Sequence, residues 1–326
     1  MKTLTRSLFF VGLLVVAPGC IVIPIGDLLK GPVLQEQVLV QGAGFFSQEK
    51  IAIIDVEGVI TGVESGGFLL PQADTVSETK ARLNQVSQDP EVKAVVLRVS
   101  SPGGEVTACD VLHHEIARFK KKTGIPIISF ISEQGASGGY YVALAGDTIF
   151  ANPTSIVGSI GVVLQHFDLS ELLAKIGVNV APVKSAEGKD LNSPFRRMTA
   201  GEREVLQKLV NDLYERFVDV VDENRSELTR EQVLALADGR VVSGVEAAEV
   251  HLVDRIGYVT DVLEEAKTRG NIESPTIVRY TRVPRSSANI YTETLVPKPA
   301  AREVHVSFPV DLTGAPKLLY LWRPGW

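Results

Sequence analysis

The sequence predicts an α/β protein, with parallel βαβ units in its first half and a more helical second half. Three observations carry this. Short β-branched runs at 50–56 (KIAIIDV), 93–99 (KAVVLRV) and 126–131 (PIISFI) have the length and composition of buried strands. Between the second and third, Val106, Cys109, Leu112, Ile116 and Phe119 recur at three- and four-residue spacing, the period of a helix with one apolar face. Strand and helix alternate, an order that predicts parallel pairing through right-handed crossovers.

At the start of the chain, Lys2 and Arg6 precede an unbroken apolar run at 8–16 that ends in Ala17-Pro18-Gly19-Cys20. A charged stretch, an apolar stretch and small residues before a cleavage point predict export. The Gly19-Cys20 junction is similar to a bacterial lipoprotein signal, which makes Cys20 the candidate lipid anchor. Left uncleaved, residues 8–25 approach the length of a membrane span, although Pro18 and Pro24 interrupt a helix there. Both versions predict a membrane-anchored protein whose body faces the extracytoplasmic side. Residues 1–20 are therefore expected to be a signal peptide with a lipoprotein-like cysteine, or a signal anchor. Residues 21–48, rich in Gly and Gln, read as a linker, 49–270 as the folded domain, and 271–326 as a loosely attached C-terminal tail with a strand or two.

Within the domain, 75–88 reads as a helix after the first strand. The helix after 93–99 ends in Lys120-Lys121-Lys122-Thr123-Gly124, a cationic last turn and a glycine stop. Ser137-Gly138-Gly139-Tyr140 opens another helix. In the second half, Thr199 with Glu202, Thr229 with Gln232 and Ser243 with Glu246 have capping-box spacing, and Gly239 and Gly270 read as helix stops.

Composition narrows the function. Of 326 residues, 33 are basic and 39 acidic, so the net charge of −6 gives no field to attract a nucleic acid backbone. Two cysteines supply neither a disulfide framework nor a CxxC metal knuckle. Three glycine-containing turns follow strands: Ser101-Pro102-Gly103-Gly104, Gly135-Ala136-Ser137-Gly138-Gly139 and Gly158-Ser159-Ile160-Gly161. The first is a strand-to-helix corner or a nest whose Gly103 and Gly104 N–H groups hold an oxyanion. Ser137 is a helix N-cap or a nucleophile beside its own oxyanion donor, the N–H of Gly138. A phosphate loop is excluded, because neither the Walker lysine nor GxGxxG spacing is present. For a base, the choice lies between a histidine, with His166 best placed, and Lys189 in a small-residue loop before Pro194. A lysine serves only when its ammonium is driven to give up its proton.

Taken together, Leu97-Arg98-Val99-Ser100-Ser101-Pro102-Gly103-Gly104, Ala136-Ser137-Gly138-Gly139-Tyr140-Tyr141, Gly158-Ser159-Ile160-Gly161-Val162, Lys189-Asp190 and Ala237-Asp238-Gly239-Arg240 resemble the bacterial signal peptide peptidase A family. These are serine endopeptidases of the Clp protease/crotonase superfold. The resemblance implies a fold of stacked parallel-sheet βαβ units with a helical C-terminal part, and a peptidase domain over 49–270. It implies that Ser137 is the nucleophile, Lys189 the general base and Ser159 the serine that orients the lysine, a chemistry that requires no metal or cofactor. Gly138, with Gly103 or Gly104, would form the oxyanion hole. It further implies apolar peptide substrates such as cleaved signal peptides, and a homo-oligomeric ring. The competing expectations are an acyl-CoA-type crotonase relative, a Clp-like peptidase using Ser137, His166 and Asp168, and a non-catalytic scaffold.

Overall fold

The computed structural model describes residues 33–43, 49–62, 74–283 and 318–322. The elements that carry the site lie within one compact unit that includes residues 35–281. The expected signal or anchor segment, with Cys20, lies outside the described residues. Among those described, no helix is long and apolar enough to cross a membrane.

In chain order the elements are β1 (Val33–Val40), β2 (Lys50–Glu57), α1 (Thr75–Gln88), β3 (Val92–Ser101), β4 (Gly103–Glu105), α2 (Val106–Thr123), β5 (Ile127–Ala136) and α3 (Gly138–Ala143). Then come β6 (Thr148–Ala151), β7 (Ile156–Gly158), β8 (Val163–Leu164), α4 (Ser170–Lys175), a 3-10 turn (Glu187–Asp190), α5 (Ala200–Asn224) and α6 (Arg230–Leu236). The last are β9 (Val241–Ser243), α7 (Gly244–Glu249), β10 (Arg255–Ile256), α8 (Val259–Gly270), β11 (Thr276–Val283) and β12 (Leu318–Leu321).

The expected parallel sheet is present. Its strands run in the order β1-β11-β2-β3-β5-β6-β10, and every pairing from β11 to β10 is parallel. β2, β3 and β5 are buried on both faces, which is why their sequences are continuous β-branched runs rather than alternating ones. Ile51, Ile53, Val96, Ile128 and Phe130 pack on one face against Val262 and Ala266 of α8. α1 lies against β2 and α2, and α3 against β3 and β5. Gly124 ends α2 in the left-handed conformation, at a φ of 70°. The capping boxes at Thr199/Glu202 and Thr229/Gln232 both form.

Strand pairing extends beyond the expected domain limits. β1 falls inside 21–48, read from sequence as a linker, and β11 inside 271–326, read as a tail. β11 lies between β1 and β2 and pairs with β2 through Ile277↔Ile51. Thr276–Val283 carries Ile277, Val278 and Tyr280, all buried, and such a strand needs neighbours on both edges and cover on both faces. α8 is closed by Asn271, at a φ of 53°, while Gly270 remains helical.

The site is positioned where β3, β5 and β7 end. β7 pairs in parallel with β5 through Gln134↔Ile156, Gly135↔Val157 and Ala136↔Gly158, and β3 reaches the same level through Ser101↔Gly135. The three glycine-containing turns noted in the sequence thus leave neighbouring strands side by side. A smaller antiparallel sheet, β4-β12-β8, covers them.

Candidate active site

β5 delivers Ser137 into a turn at φ 52° and ψ −120°, a conformation that is costly for a residue with a side chain. Hydrogen bonds impose it: the Ser137 N–H donates to the Gly158 carbonyl at 2.7 Å, and its carbonyl accepts the Tyr141 N–H at 3.0 Å. The next two residues have no room for side chains. A methyl on Gly138 would run into Cys109 Sγ, and one on Gly139 into the Ser101 carbonyl oxygen. Ser137 holds the N-cap position of α3, yet its side chain makes no capping hydrogen bond. The N-cap explanation for a serine here therefore fails, and the hydroxyl is left uncommitted although the residue is only 1% exposed.

Ser159 repeats the device one strand away. It follows Gly158 at a φ of 52° and donates its N–H to the Arg240 carbonyl at 2.6 Å. Arg240 is held in turn by the Asp238 carboxylate, which accepts from Nε at 2.8 Å and is itself pushed down to a pKa of about 2 by that contact. Ser137 and Ser159 line one open cavity of about 480 Å³, with Ile160, Val162, Val210, Tyr214 and Leu321 giving it apolar walls.

Opposite Ser137 stands the Ser-Pro-Gly-Gly turn. Gly103 has a φ of 102°, and a methyl on it would lie 2.7 Å from the Gly138 nitrogen, so these two glycines face each other. Gly138 opens α3, and its N–H has no acceptor within the helix. The Gly103 N–H donates to Ser101 Oγ at 3.1 Å, and that hydroxyl donates to the Gly58 carbonyl at 2.6 Å, which fixes the turn. Gly104 is pressed against Ile60, where a methyl would meet the carbonyl oxygen.

Lys189 is not brought to this cavity. It lies exposed on the 3-10 turn Glu187–Asp190, and it is absent from the cavity lining. The nearby Lys184 donates to Asp190 Oδ1 at 2.8 Å, and that hydrogen bond raises its pKa, so Lys184 stays charged and is a poor base. Asp190 is held well below the carboxylate range by Arg196 and Lys184. His166 is also elsewhere: its Nδ1 lies 2.9 Å from Asn192 Oδ1. Asp168 accepts the Ser170 hydroxyl at 2.5 Å and N–H at 3.0 Å. A Ser137-His166-Asp168 triad thus finds no support within one chain. Among the described residues no group of three His, Cys, Asp or Glu side chains could hold a metal ion.

Two buried side chains back the turn, the first on the apolar helix face that its spacing predicts. Cys109, fully buried, lies directly beneath Gly138, its thiol pushed up by desolvation. Tyr320 of β12 is also fully buried, stacked on Tyr141 at 5.3 Å and donating its hydroxyl to the Leu213 carbonyl at 2.9 Å. The apolar run at 318–322 was the one available signal for the second.

Comparison with known proteins identifies the family. The model of peptidase family S49 matches residues 119–273. A putative signal peptide peptidase SppA of Enterococcus faecium is 36% identical over 247 residues, covering 76% of this chain and 70% of that one. A putative protease of Methanocaldococcus jannaschii is 40% identical over 242 residues, or 74% and 77% of the two chains. The chain belongs to peptidase family S49. Its fold is that of the Clp protease/crotonase type, and the S49 assignment makes it a serine peptidase. Another S49 relative, the chloroplast serine protease SPPA of Arabidopsis thaliana, is 30% identical over 245 residues, 74% of this chain and 36% of that longer one. The family match includes Ser137, Ser159 and Lys189, and begins after Gly103 and Gly104.

Proposed function

We propose that this S49 peptidase is a membrane-anchored serine endopeptidase acting on apolar peptides, such as cleaved signal peptides, on the extracytoplasmic side of a membrane. The observation that carries the proposal is the uncommitted Ser137 hydroxyl, which shares an apolar-walled cavity with Ser159 and adjoins the free N–H of Gly138. The N-terminal sequence, with Cys20 or an uncleaved apolar segment, supports the anchor, and the naming of the Enterococcus relative supports the substrate class.

In this mechanism neutral Lys189 accepts the Ser137 hydroxyl proton as Oγ bonds to the peptide carbonyl carbon. The oxyanion is met by the Gly138 N–H at the start of α3, while the Gly103 N–H is already given to Ser101 Oγ and the Gly103-Gly104 turn forms the wall opposite. Collapse breaks the C–N bond, and the lysine returns the proton to the departing amine. Water deprotonated by the same amine then releases the acyl group. Ser159 accepts a hydrogen bond from the lysine and orients it. Ser-Lys pairs are an established variant of the triad.

The position of Lys189 favours a base supplied by a neighbouring copy. The 163–199 segment that carries it has no buried residue, and Leu172, Ile176 and Val183 are among its exposed apolar side chains. Such a surface is suited to contact between subunits in a ring.

The test is labelling of the full chain in detergent with a serine-acylating reagent, followed by mass spectrometry. An adduct on the peptide containing Ser137, with parallel loss of peptidase activity, is expected. Inactivation with the adduct on another residue would overturn the assignment.

A further inference from the structure

Ala237, Asp238 and Gly239 line the same cavity as Ser137 and Ser159, and with Arg240 they join α6 to β9. One carboxylate builds this connection. Asp238 Oδ1 accepts the Arg240 N–H at 3.0 Å and Arg240 Nε at 2.8 Å, and Oδ2 pairs with Nη2 at 2.7 Å. A side-chain oxygen that takes the N–H two residues further on closes an Asx turn. Between the two, Gly239 has a φ of 86°, in the region that favours glycine.

The turn fixes the Arg240 carbonyl, which accepts the Ser159 N–H at 2.6 Å and so helps to hold Ser159 at a φ of 52°. One peptide earlier, the Gly158 carbonyl accepts the Ser137 N–H at 2.7 Å. Ala136, Gly158 and Val241 are register partners across β5, β7 and β9, so a row of hydrogen bonds runs from Asp238 to the nucleophile. The outer end of that row is its weak end. β9 is three residues long and pairs only with β7 among the described strands, and so short a strand constrains its first residues poorly. The Asp238 carboxylate supplies the missing constraint. Its value is geometric rather than electrostatic, because the Arg240 and Asp238 side chains are 56% and 48% exposed and an ion pair so wet adds little.

We propose that Asp238 is a positioning residue for the reaction: by closing the Asp238-Gly239-Arg240 turn it holds the Arg240 carbonyl, and through it Ser159, where the Ser159 hydroxyl orients the base. The proposal rests on the reading of Ser159 as the serine that orients the base. Asp238 touches no reacting atom in this role, so its loss acts on kcat rather than on KM.

The experiment measures kcat and KM of full-length variants in detergent on an apolar fluorogenic peptide. Asp238→Ala is expected to lower kcat about 10- to 100-fold and to leave KM within about threefold. Asp238→Asn keeps the oxygen that accepts the Arg240 N–H and should regain most of the loss. Asp238→Glu keeps the charge on a stem one methylene too long for the Asx turn and should not. A carboxylate serving only as an ion-pair partner, or as a contact for a cationic substrate, gives the reverse order. Ser159→Ala lacks the hydroxyl being positioned and should be slow already, so adding Asp238→Ala should slow it by less than about twofold more.

Parental kcat in Asp238→Ala, a loss confined to KM, a Glu variant faster than the Asn variant, or losses that multiply in the double variant would each overturn the proposal. Parental kcat in Ser159→Ala would remove the reading of Ser159 and the proposal with it. Should Asp238→Ala fail to fold, the Asn and Glu variants decide, and equal kcat in the two counts against an Asx turn that positions Ser159.

Discussion

Ser137 and Ser159 leave adjacent parallel strands at the same level, each with a φ of 52°. Their predecessors, Ala136 and Gly158, are register partners, and the Ser137 N–H donates to the Gly158 carbonyl at 2.7 Å. One backbone device, used twice, therefore brings two hydroxyls to one cavity. The strain of the turn belongs to any residue with a Cβ, so alanine at 137 adds none. Ser137→Ala should melt within about 2 °C of the parent. Its peptidase activity should fall roughly 10⁴-fold or more. Calorimetry and peptide turnover check the two statements separately, and substantial residual turnover in a clean preparation would refute the nucleophile.

Gly138→Ala should damage fold and chemistry together. The added methyl meets Cys109 Sγ and lies 3.1 Å from both Gly103 Cα and the Tyr320 carbonyl oxygen, so overpacking of about 1–3 kcal/mol is expected. Displacing an oxyanion donor should cost roughly 10²–10³ in kcat. Adding Cys109→Ala removes the sulfur and should restore much of the stability, but little of the rate. If the double variant melts no higher than Gly138→Ala alone, the Cys109 contact is not what limits residue 138.

His113 makes the fold sensitive to acid. It lies edge-on to Tyr141 at 5.3 Å, and its Nε2 is buried without a hydrogen-bond partner. Burial pushes its pKa down from 6.5 to about 4; Asp110 opposes the shift, while Arg216, Lys120 and His114 add to it. Below pH 6.5 the unfolded chain binds a proton that the folded one refuses. Stability is therefore full above 6.5 and declines as pH falls toward 4, by at most about 3 kcal/mol. His113→Phe keeps the ring contact and removes the titration. Its melting temperature should fall less between pH 7.5 and 5 than the parent's, and an equal fall would rule out His113 as the source.

How much of this was legible in the sequence follows from how local each signal is. The strands around 50–56, 93–99 and 126–131 and the helix starting at Val106 show in single windows, because burial on both faces or on one stripe leaves its mark on consecutive residues. The boxes at Thr199 and Thr229 are equally local. Ser137, Ser159, Gly103 and Gly138 could be singled out as turn residues, but their meeting depends on the β3-β5-β7 register, which no window contains. β12 was read as part of a tail because its partners are Gly103–Glu105 and Val163–Leu164, each too short to announce a strand. Its pairing partners lie more than 150 positions away, so only the fold reveals them.

Lys189 should tolerate no other cation. Arginine keeps the charge but cannot give up a proton at workable pH, so Lys189→Arg and Lys189→Ala should be almost equally inactive. Lys184→Ala, by contrast, removes an ammonium already committed to Asp190 at 2.8 Å and should keep most of the activity. An active Lys189→Arg enzyme would return His166 to consideration, and loss of activity in His166→Ala would then identify it as the base.

The last expectation concerns which copy supplies the lysine. Within one chain Ser137 lines the cavity and Lys189 is exposed outside it, on a segment with apolar side chains turned outward. If that segment docks on the next subunit, each site is assembled from two chains, and an isolated chain has a nucleophile without its base. Ser137→Ala and Lys189→Ala subunits are then individually inactive but complementary. Mixed under conditions that allow exchange, they form some interfaces that join an intact serine to an intact lysine. For random mixing of equal amounts in a ring, about one interface in four has this pairing, so recovery of roughly a quarter of parental activity is expected. Mixed rings demonstrated by mass, with no recovered turnover, would show that serine and lysine act within the same chain. The 163–199 segment would then have to fold back over its own cavity.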